Sequence, residues 1–263
     1  MVKLEIKHHT AFVTLARAQK QNALSFIMFK QLNGIIDKIR KNKSVRAVII
    51  QGEGEHFCAG LDVSSVMKNP MNILKLLFKW LPGNCNLAQR VVLGWQSLSV
   101  PVFAVIQGNC FGGGLQIALG ADYRIVHSNA KLAIMEARWG LCPDMGANVI
   151  LPSLLQRDQA LWLASHASPI DAEKAHQLGL ITEVSDDPLQ QSLNMIATLS
   201  NRSPDTLAAI KRVTQHSYAT PQRRILAKET FCQIRLLINK NTKRAIAKAK
   251  GADNVEFQNS KRW

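Results

Sequence analysis

Two glycine-bearing turns offer the first chemistry in this chain. His56-Phe57-Cys58-Ala59-Gly60-Leu61-Asp62 follows a strand-like apolar run at 45–51, and Phe111-Gly112-Gly113-Gly114-Leu115-Gln116 follows another at 102–106, about fifty residues later. Glycine lets a backbone approach a ligand closely, and two such turns at the strand ends of one sheet can meet. Two convergent backbone N–H donors form an oxyanion hole, which stabilises negative charge developing on a carbonyl oxygen. Taken alone, the three glycines are better read as permitting tight helix-strand packing; paired with the first turn, they favour catalysis. Glu136 supplies a complementary group. In Leu132-Ala133-Ile134-Met135-Glu136-Ala137-Arg138-Trp139-Gly140 it is a carboxylate flanked by apolar residues, and partial burial would raise its pKa toward the range that proton transfer requires. A surface glutamate paired with Arg138 is the alternative. Asp144, in Pro143-Asp144-Met145-Gly146, reads locally as a turn residue or a helix N-cap.

Positioning these groups calls for strands that alternate with helices. The apolar pattern predicts strands at 4–6, 11–15, 45–51, 102–107 and 123–127, and helices at 25–41, 84–97 and 114–119. Successive strands separated by helices imply parallel pairing with right-handed crossovers. Between residues 63 and 96, Val66, Met67, Ile73, Leu74, Leu76, Leu77, Phe78, Trp80 and Leu81 recur at helical spacing, which means core packing or a partner surface, with Lys68, Lys75 and Lys79 on the other face. Past Asn201-Arg202-Ser203-Pro204 the pattern turns almost wholly helical, with segments at 205–214, 220–239 and 241–250.

The order and spacing of five segments resemble the crotonase superfamily, the enoyl-CoA hydratase/isomerase enzymes. The two glycine turns are joined by Gln21-Asn22-Ala23-Leu24-Ser25, by Ala118-Leu119-Gly120-Ala121-Asp122-Tyr123-Arg124-Ile125 and by Met135 to Leu141, so the likeness covers most of the chain. It implies an α/β fold, a spiral of ββα units, with residues 1–200 as the catalytic and CoA-binding core and 201–263 as a helical region for oligomerisation or closure over the site. It also implies trimers or dimers of trimers.

Matched position by position, the resemblance places the two oxyanion-hole donors on Leu61 and Gly113 and the acid/base carboxylate on Glu136. It departs from the hydratase pattern at Gln116, where a second glutamate is expected; an amide cannot accept a proton near neutral pH. The likeness therefore points to migration of a double bond from the 3- to the 2-position of an enoyl-CoA, with 2-enoyl-CoA hydration as the alternative. Asp144 lies at the offset where dienoyl-CoA isomerases of the family carry a second acid. Ala23, Ala59 and Asp62 are implied as lining the coenzyme A groove, and Lys20, Arg17 or a C-terminal lysine as meeting phosphates. The same likeness assigns the apolar residues of 63–96 to an acyl pocket.

Composition sets outer bounds. The 263 residues, nearly half of them hydrophobic, can bury a sizeable core. No segment has the length and apolarity of a membrane span, and the first residues alternate like a strand instead of forming a signal core, so a cytoplasmic enzyme without a membrane partner is expected. Cys58, Cys85, Cys110, Cys142 and Cys232 are odd in number and show no Cys-x-x-Cys pair, which reads as reduced, packed thiols. No metal-ligand spacing or nucleotide fingerprint is present, so no metal and no cofactor are expected, the acyl-CoA being substrate. His8-His9 reads as an exposed hairpin. The net charge of +15 suits a polyanionic ligand such as coenzyme A. Nucleic acid would also suit it, but no recognition motif is present, and a binding protein of this fold without turnover is the reading from another class.

Overall fold

The computed structural model describes residues 1–200, 204–217, 223, 226, 227, 230, 233, 234, 237, 238, 240–252 and 255. The chain opens with an antiparallel hairpin, β1 (Val2–Lys7) and β2 (Thr10–Leu15), closed by two histidines. His8 and His9 hold φ of 45° and 63°, the paired positive dihedrals of the turn whose twist matches that of its strands. β1 is a sheet edge and carries Lys3, Glu5 and Lys7 at exposed positions, charges that disfavour pairing with another chain.

From β2 onward the principal sheet is parallel. Its order is β1-β2-β3-β4-β6-β9, with β3 (Ala47–Gly52), β4 (Val102–Ile106), β6 (Tyr123–Val126) and β9 (Glu183–Val184). Helices cover both faces, which is why β4 reads as the unbroken apolar run Val102-Phe103-Ala104-Val105-Ile106. One face packs against α1 (Phe26–Lys41) and α4 (Leu87–Gln96) around the fully buried Phe29, Ile36 and Trp95. The other face, with Ile49, Phe103 and Ile125, is covered by α9 (Pro188–Ser200) through Ile196. Ser25 caps α1 by accepting the Met28 N–H, and Asn86 with Gln89 forms a capping box that starts α4.

A second sheet, absent from the sequence expectations, decides where the site lies. β5 (Asn109–Phe111) pairs in parallel with β7 (Lys131–Ala133), which pairs antiparallel with β8 (Ile170–Asp171). These strands have two or three residues each, too few for an alternation to register. β4 continues into β5 and then α5 (Gly113–Leu119), while β6 continues into β7, so each unit sends one strand to each sheet.

The segment 63–96 contains α2 (Val63–Met67) and α3 (Pro70–Leu77) before α4. Its apolar residues divide between the core and the surface. Val66 and Leu76 are buried and Ile73 packs on the core, whereas Met71, Leu74, Phe78 and Leu81 are exposed and Trp80 is 84% exposed. Helical spacing gave the period correctly but not the inward face, because both sides of α3 are apolar.

Beyond the second sheet come α6 (Ala147–Ile150), α7 (Arg157–His166) and α8 (Ala172–Gln177), then α10 (Pro204–Ser217) and α11 (Lys240–Ala249). The expected helix at 220–239 falls largely outside the described residues, as do Asn201 to Ser203 and Cys232. α10 is tied to the core of its own chain by Lys211, whose Nζ donates to Asp122 Oδ2 at 2.6 Å and to Val100 O at 2.9 Å. No described helix is long and apolar enough to cross a membrane.

Candidate active site

Three segments distant in sequence are laced together at the ends of β3 and β4. Leu24 pairs with Leu61 as an isolated parallel bridge, and Cys58 pairs likewise with Cys110. Leu24 donates its N–H to Gly60 O at 2.7 Å and accepts from Asp62 N–H at 3.0 Å. In a parallel ladder those two bonds leave the N–H of the intervening residue, Leu61, pointing away from Leu24. The Phe111 N–H donates to Cys58 O at 2.9 Å, which draws the second glycine turn against the first.

The contact between the turns is close enough to need glycine. Gly60 holds φ of +94°, and a Cβ there would lie 3.0 Å from Phe111 O and 3.7 Å from Gly113 N. At Gly114 a Cβ would come within 2.6 Å of Cys58 Cβ and 2.8 Å of Cys58 O. Close packing and donor placement are therefore one feature: Gly114 brings α5 onto residues 58–61, and Gly113 stands as its first residue beside Gly60. The first N–H groups of a helix lack intrahelical acceptors, and no side chain caps α5 at Gly112. Gly113 and Leu61 thus present backbone donors from two adjoining turns.

Glu136 enters from a short 3-10 turn, Glu136–Trp139, that succeeds β7. As a residue it is half-buried, but its carboxylate end is inside, with Oε2 buried and lacking a hydrogen-bond partner among the described residues. A Cβ on Gly112 would lie 3.6 Å from Glu136 Oε1, so the carboxylate sits beside the glycine turn. Burial pushes its pKa up; the backbone N–H groups of Glu136 and Met135 and the Gln116 amide oppose that rise. The pairing with Arg138 weighed from sequence is not the arrangement found, since Arg138 is exposed and Gln116 Nε2 donates to Glu136 Oε1 at 2.6 Å.

Gln116 is fully buried on α5. Its Oε1 accepts the N–H of Met145 at 3.1 Å and of Ala147 at 3.3 Å. These two amides were invisible in the sequence; the nearest signal is Gly146, which turns the chain between them with φ of +106°. Asp144 is half-buried and adjoins Met145, so its segment reaches the site. It is not a helix N-cap: α6 starts at Ala147 and its cap is Gly146.

The groove candidates are also brought together, and their polar groups are largely engaged. Asp62 pairs with Arg17 at 2.8 Å and caps α2 by accepting the Ser65 N–H at 3.0 Å. Burial raises the Asp62 pKa, but the bonds from Arg17, Ser64 and Ser65 outweigh it and hold the carboxyl below its usual range. Arg17 Nη1 also donates to Ala23 O at 2.9 Å, and Ala59 donates its N–H to Gln21 O at 2.8 Å. Arg17 thus braces two walls of the candidate groove. The buried Asn22, with φ of +57°, completes that brace by donating to His56 O at 2.7 Å and Glu53 O at 3.0 Å, a role the sequence reading missed. Cys58 and Cys110 are free and buried; burial raises the Cys58 thiol to about 12 and Cys110 well above its usual value, which suits packing and not nucleophilic attack. The described residues contain no group of three or more His, Cys, Asp or Glu that could hold a metal.

Comparison with known proteins places this arrangement in context. Residues 5–254 match the family model described as enoyl-CoA hydratase/isomerase. A Bacillus subtilis protein named as an enoyl-CoA hydratase/isomerase, YngF, is 33% identical over 199 residues, covering 74% of each chain. The enoyl-CoA hydratase EchA19 of Mycobacterium tuberculosis is 29% identical over 261 residues, covering 97% of this chain and 96% of the relative. Among solved structures, an enoyl-CoA hydratase from Mycobacterium avium subsp. paratuberculosis has a TM-score of 0.84 at 23% identity, covering 98% of both chains, and one from Thermoplasma volcanium has 0.74 at 28%, covering 94% and 96%.

Proposed function

The chain belongs to the enoyl-CoA hydratase/isomerase family and is an enzyme of that type, and from that premise we propose that it moves the double bond of an enoyl-CoA from the 3- to the 2-position. The thioester oxygen would sit between the N–H groups of Leu61 and Gly113. Glu136 would remove a proton from C2, placing charge on that oxygen as a dienolate, and return the proton at C4. The double bond then lies between C2 and C3, conjugated with the thioester, with no water gained or lost. Each hydrogen-bond donor lost from such a hole typically costs about 3 kcal/mol of transition-state stabilisation.

One observation carries this reading over hydration. The place of a second carboxylate is filled by the Gln116 amide, whose donor end is spent on Glu136 and whose acceptor end is spent on Met145 and Ala147. An amide so engaged cannot deprotonate water, whereas double-bond migration needs only one carboxylate. Water addition is the second reading. Asp144 favours it, as a carboxylate one residue from the Met145 amide that binds Gln116, and relatives named as hydratases point the same way. Ala23, Ala59 and Asp62 would shape the coenzyme A groove, with Asp62 acting through Arg17.

The test is mass-resolved product analysis with 3-enoyl-CoA and 2-enoyl-CoA esters of several chain lengths. A mass-neutral conversion of the 3-enoyl ester to the conjugated isomer is expected. Gain of one water from the 2-enoyl ester, without isomerisation, would replace this reading by hydration and give Asp144 the second role.

A further inference from the structure

The Gln116 side chain joins three segments with one amide, and chemistry dictates its orientation. Two backbone N–H groups, Met145 and Ala147, converge on one end of it. Only the carbonyl oxygen can accept them, so the NH2 must occupy the other end, against Glu136 Oε1 at 2.6 Å. A flipped amide would set donors against donors and a carbonyl oxygen against a carboxylate. Full burial of Gln116 on α5 removes water as a substitute partner. Glu136 is therefore held at one oxygen, while its other oxygen, Oε2, stays buried and unpaired among the described residues.

We propose that Gln116 is a positioning residue that divides the work of the Glu136 carboxylate, pinning Oε1 against α5 so that Oε2 alone meets the substrate proton. The proposal rests on the role given to Glu136 above and assigns Gln116 neither water nor substrate. The brace fixes rotation of the carboxylate plane and favours its charged form through a donor that cannot itself titrate. It also couples Glu136 to the 145–147 turn, so the base moves with that turn.

Among the described side chains, the ionisable groups on the elements around Glu136 are Asp144 on the adjoining loop, Arg138 on its own turn, Arg157, Asp158 and His166 on α7, and Lys240, Lys243 and Arg244 on α11. The causes that act on the carboxyl are burial first and then the hydrogen bonds already named.

Two variants separate positioning from folding. Gln116→Met fills the volume but removes every bond. Gln116→Glu keeps an acceptor for the Met145 and Ala147 amides, and so the fold, while setting a carboxylate against Oε1. The Glu136 titration is read directly by carbon NMR of glutamate-labelled protein without substrate, assigned by its loss in Glu136→Gln, and beside it the pH profile of kcat. Both variants are expected to move the Glu136 midpoint and the acid limb of kcat upward by about one unit or more, with kcat down roughly tenfold or more in Gln116→Met and KM little changed. Gln116→Asn, one methylene short, should not restore either value. A midpoint and acid limb that stay at wild-type values in both folded variants would overturn the brace. The NMR midpoint needs no turnover, so it reports on Gln116 even where product analysis shows hydration.

Discussion

At the scale of residues, Glu136 is the group on which activity is expected to turn. Its carboxyl is pushed up by burial, and a base must be ionised, so kcat is expected to fall as pH drops through a midpoint above the ordinary carboxylate range. Replacement by an uncharged amide, Glu136→Gln, is expected to lower kcat by roughly 10²- to 10⁴-fold while leaving CoA-ester affinity nearly unchanged. The same shift has a stability consequence of defined sign. A folded-state pKa above the unfolded value means that folding penalises the charged form, so ionised Glu136 costs stability at neutral pH and that cost disappears as pH falls below the unfolded value. Glu136→Gln should therefore unfold at a temperature no lower than wild type. An unchanged rate in this variant would remove Glu136 from the mechanism. Burial of that carboxylate was foreseeable from its apolar neighbours; the identity of its partner was not, since Gln116 lies twenty residues away and is brought near only by the second sheet.

At the scale of elements, the placement of α5 against residues 58–61 would set both proposed donors, Leu61 and Gly113, at once. A methyl group at Gly114 would meet Cys58 Cβ at 2.6 Å and Cys58 O at 2.8 Å, so the helix must retreat from the first turn. Gly114→Ala is expected to destabilise by about 1–3 kcal/mol and to lower kcat more than it raises KM, because the two N–H groups separate. Gly34 on α1 provides the control: a Cβ there meets nothing within 4 Å. Gly34→Ala should add roughly 0.5–1 kcal/mol of stability through helix propensity, with no effect on turnover. Denaturant unfolding and steady-state kinetics on the two variants test this, and equal behaviour would show that the close contact does not govern the donors. The strand runs and glycine turns of this unit were legible in sequence, and the contact distance between them was not.

At the scale of the whole molecule, the C-terminal helices are held to their own chain by specific polar ties. Thr242 on α11 donates to Gly140 O at 3.1 Å, beside the turn that carries Glu136, and Lys79 Nζ donates to Leu226 O at 2.6 Å. A charged tie joins Lys211 to Asp122, with side chains 10% and 20% exposed, and the Val102 N–H also donates to Asp122 at 2.8 Å. Burial pushes the Asp122 carboxyl up and the Lys211 ammonium down, each against the pull of its partner. Such a pair specifies where α10 docks more than it adds net stability. Lys211→Met is expected to cost about 3 kcal/mol in urea unfolding by leaving the Asp122 carboxylate buried without its ammonium partner, and adding Asp122→Asn should recover part of that loss. Additive losses in the double variant would show that the two residues act separately. The trimer or hexamer implied by the sequence resemblance remains our proposal for assembly, to be measured by light scattering.

Local pattern along the chain was enough to specify unbroken apolar runs for strands buried on both faces, Ser25 at the start of α1, two glycine turns after β3 and β4, and a carboxylate set among apolar residues. Such features are written within a few residues, so period and residue type suffice to find them. Which way groups face and what they touch came from the tertiary structure alone. It supplied the three short strands of the second sheet, the Arg17 and Asn22 brace, the orientation of the Gln116 amide, and the Lys211 to Asp122 tie across 89 residues. Each depends on a donor and an acceptor brought together by burial of the chain between them, and a hydrogen bond leaves no periodic trace along the sequence from which its partner can be read.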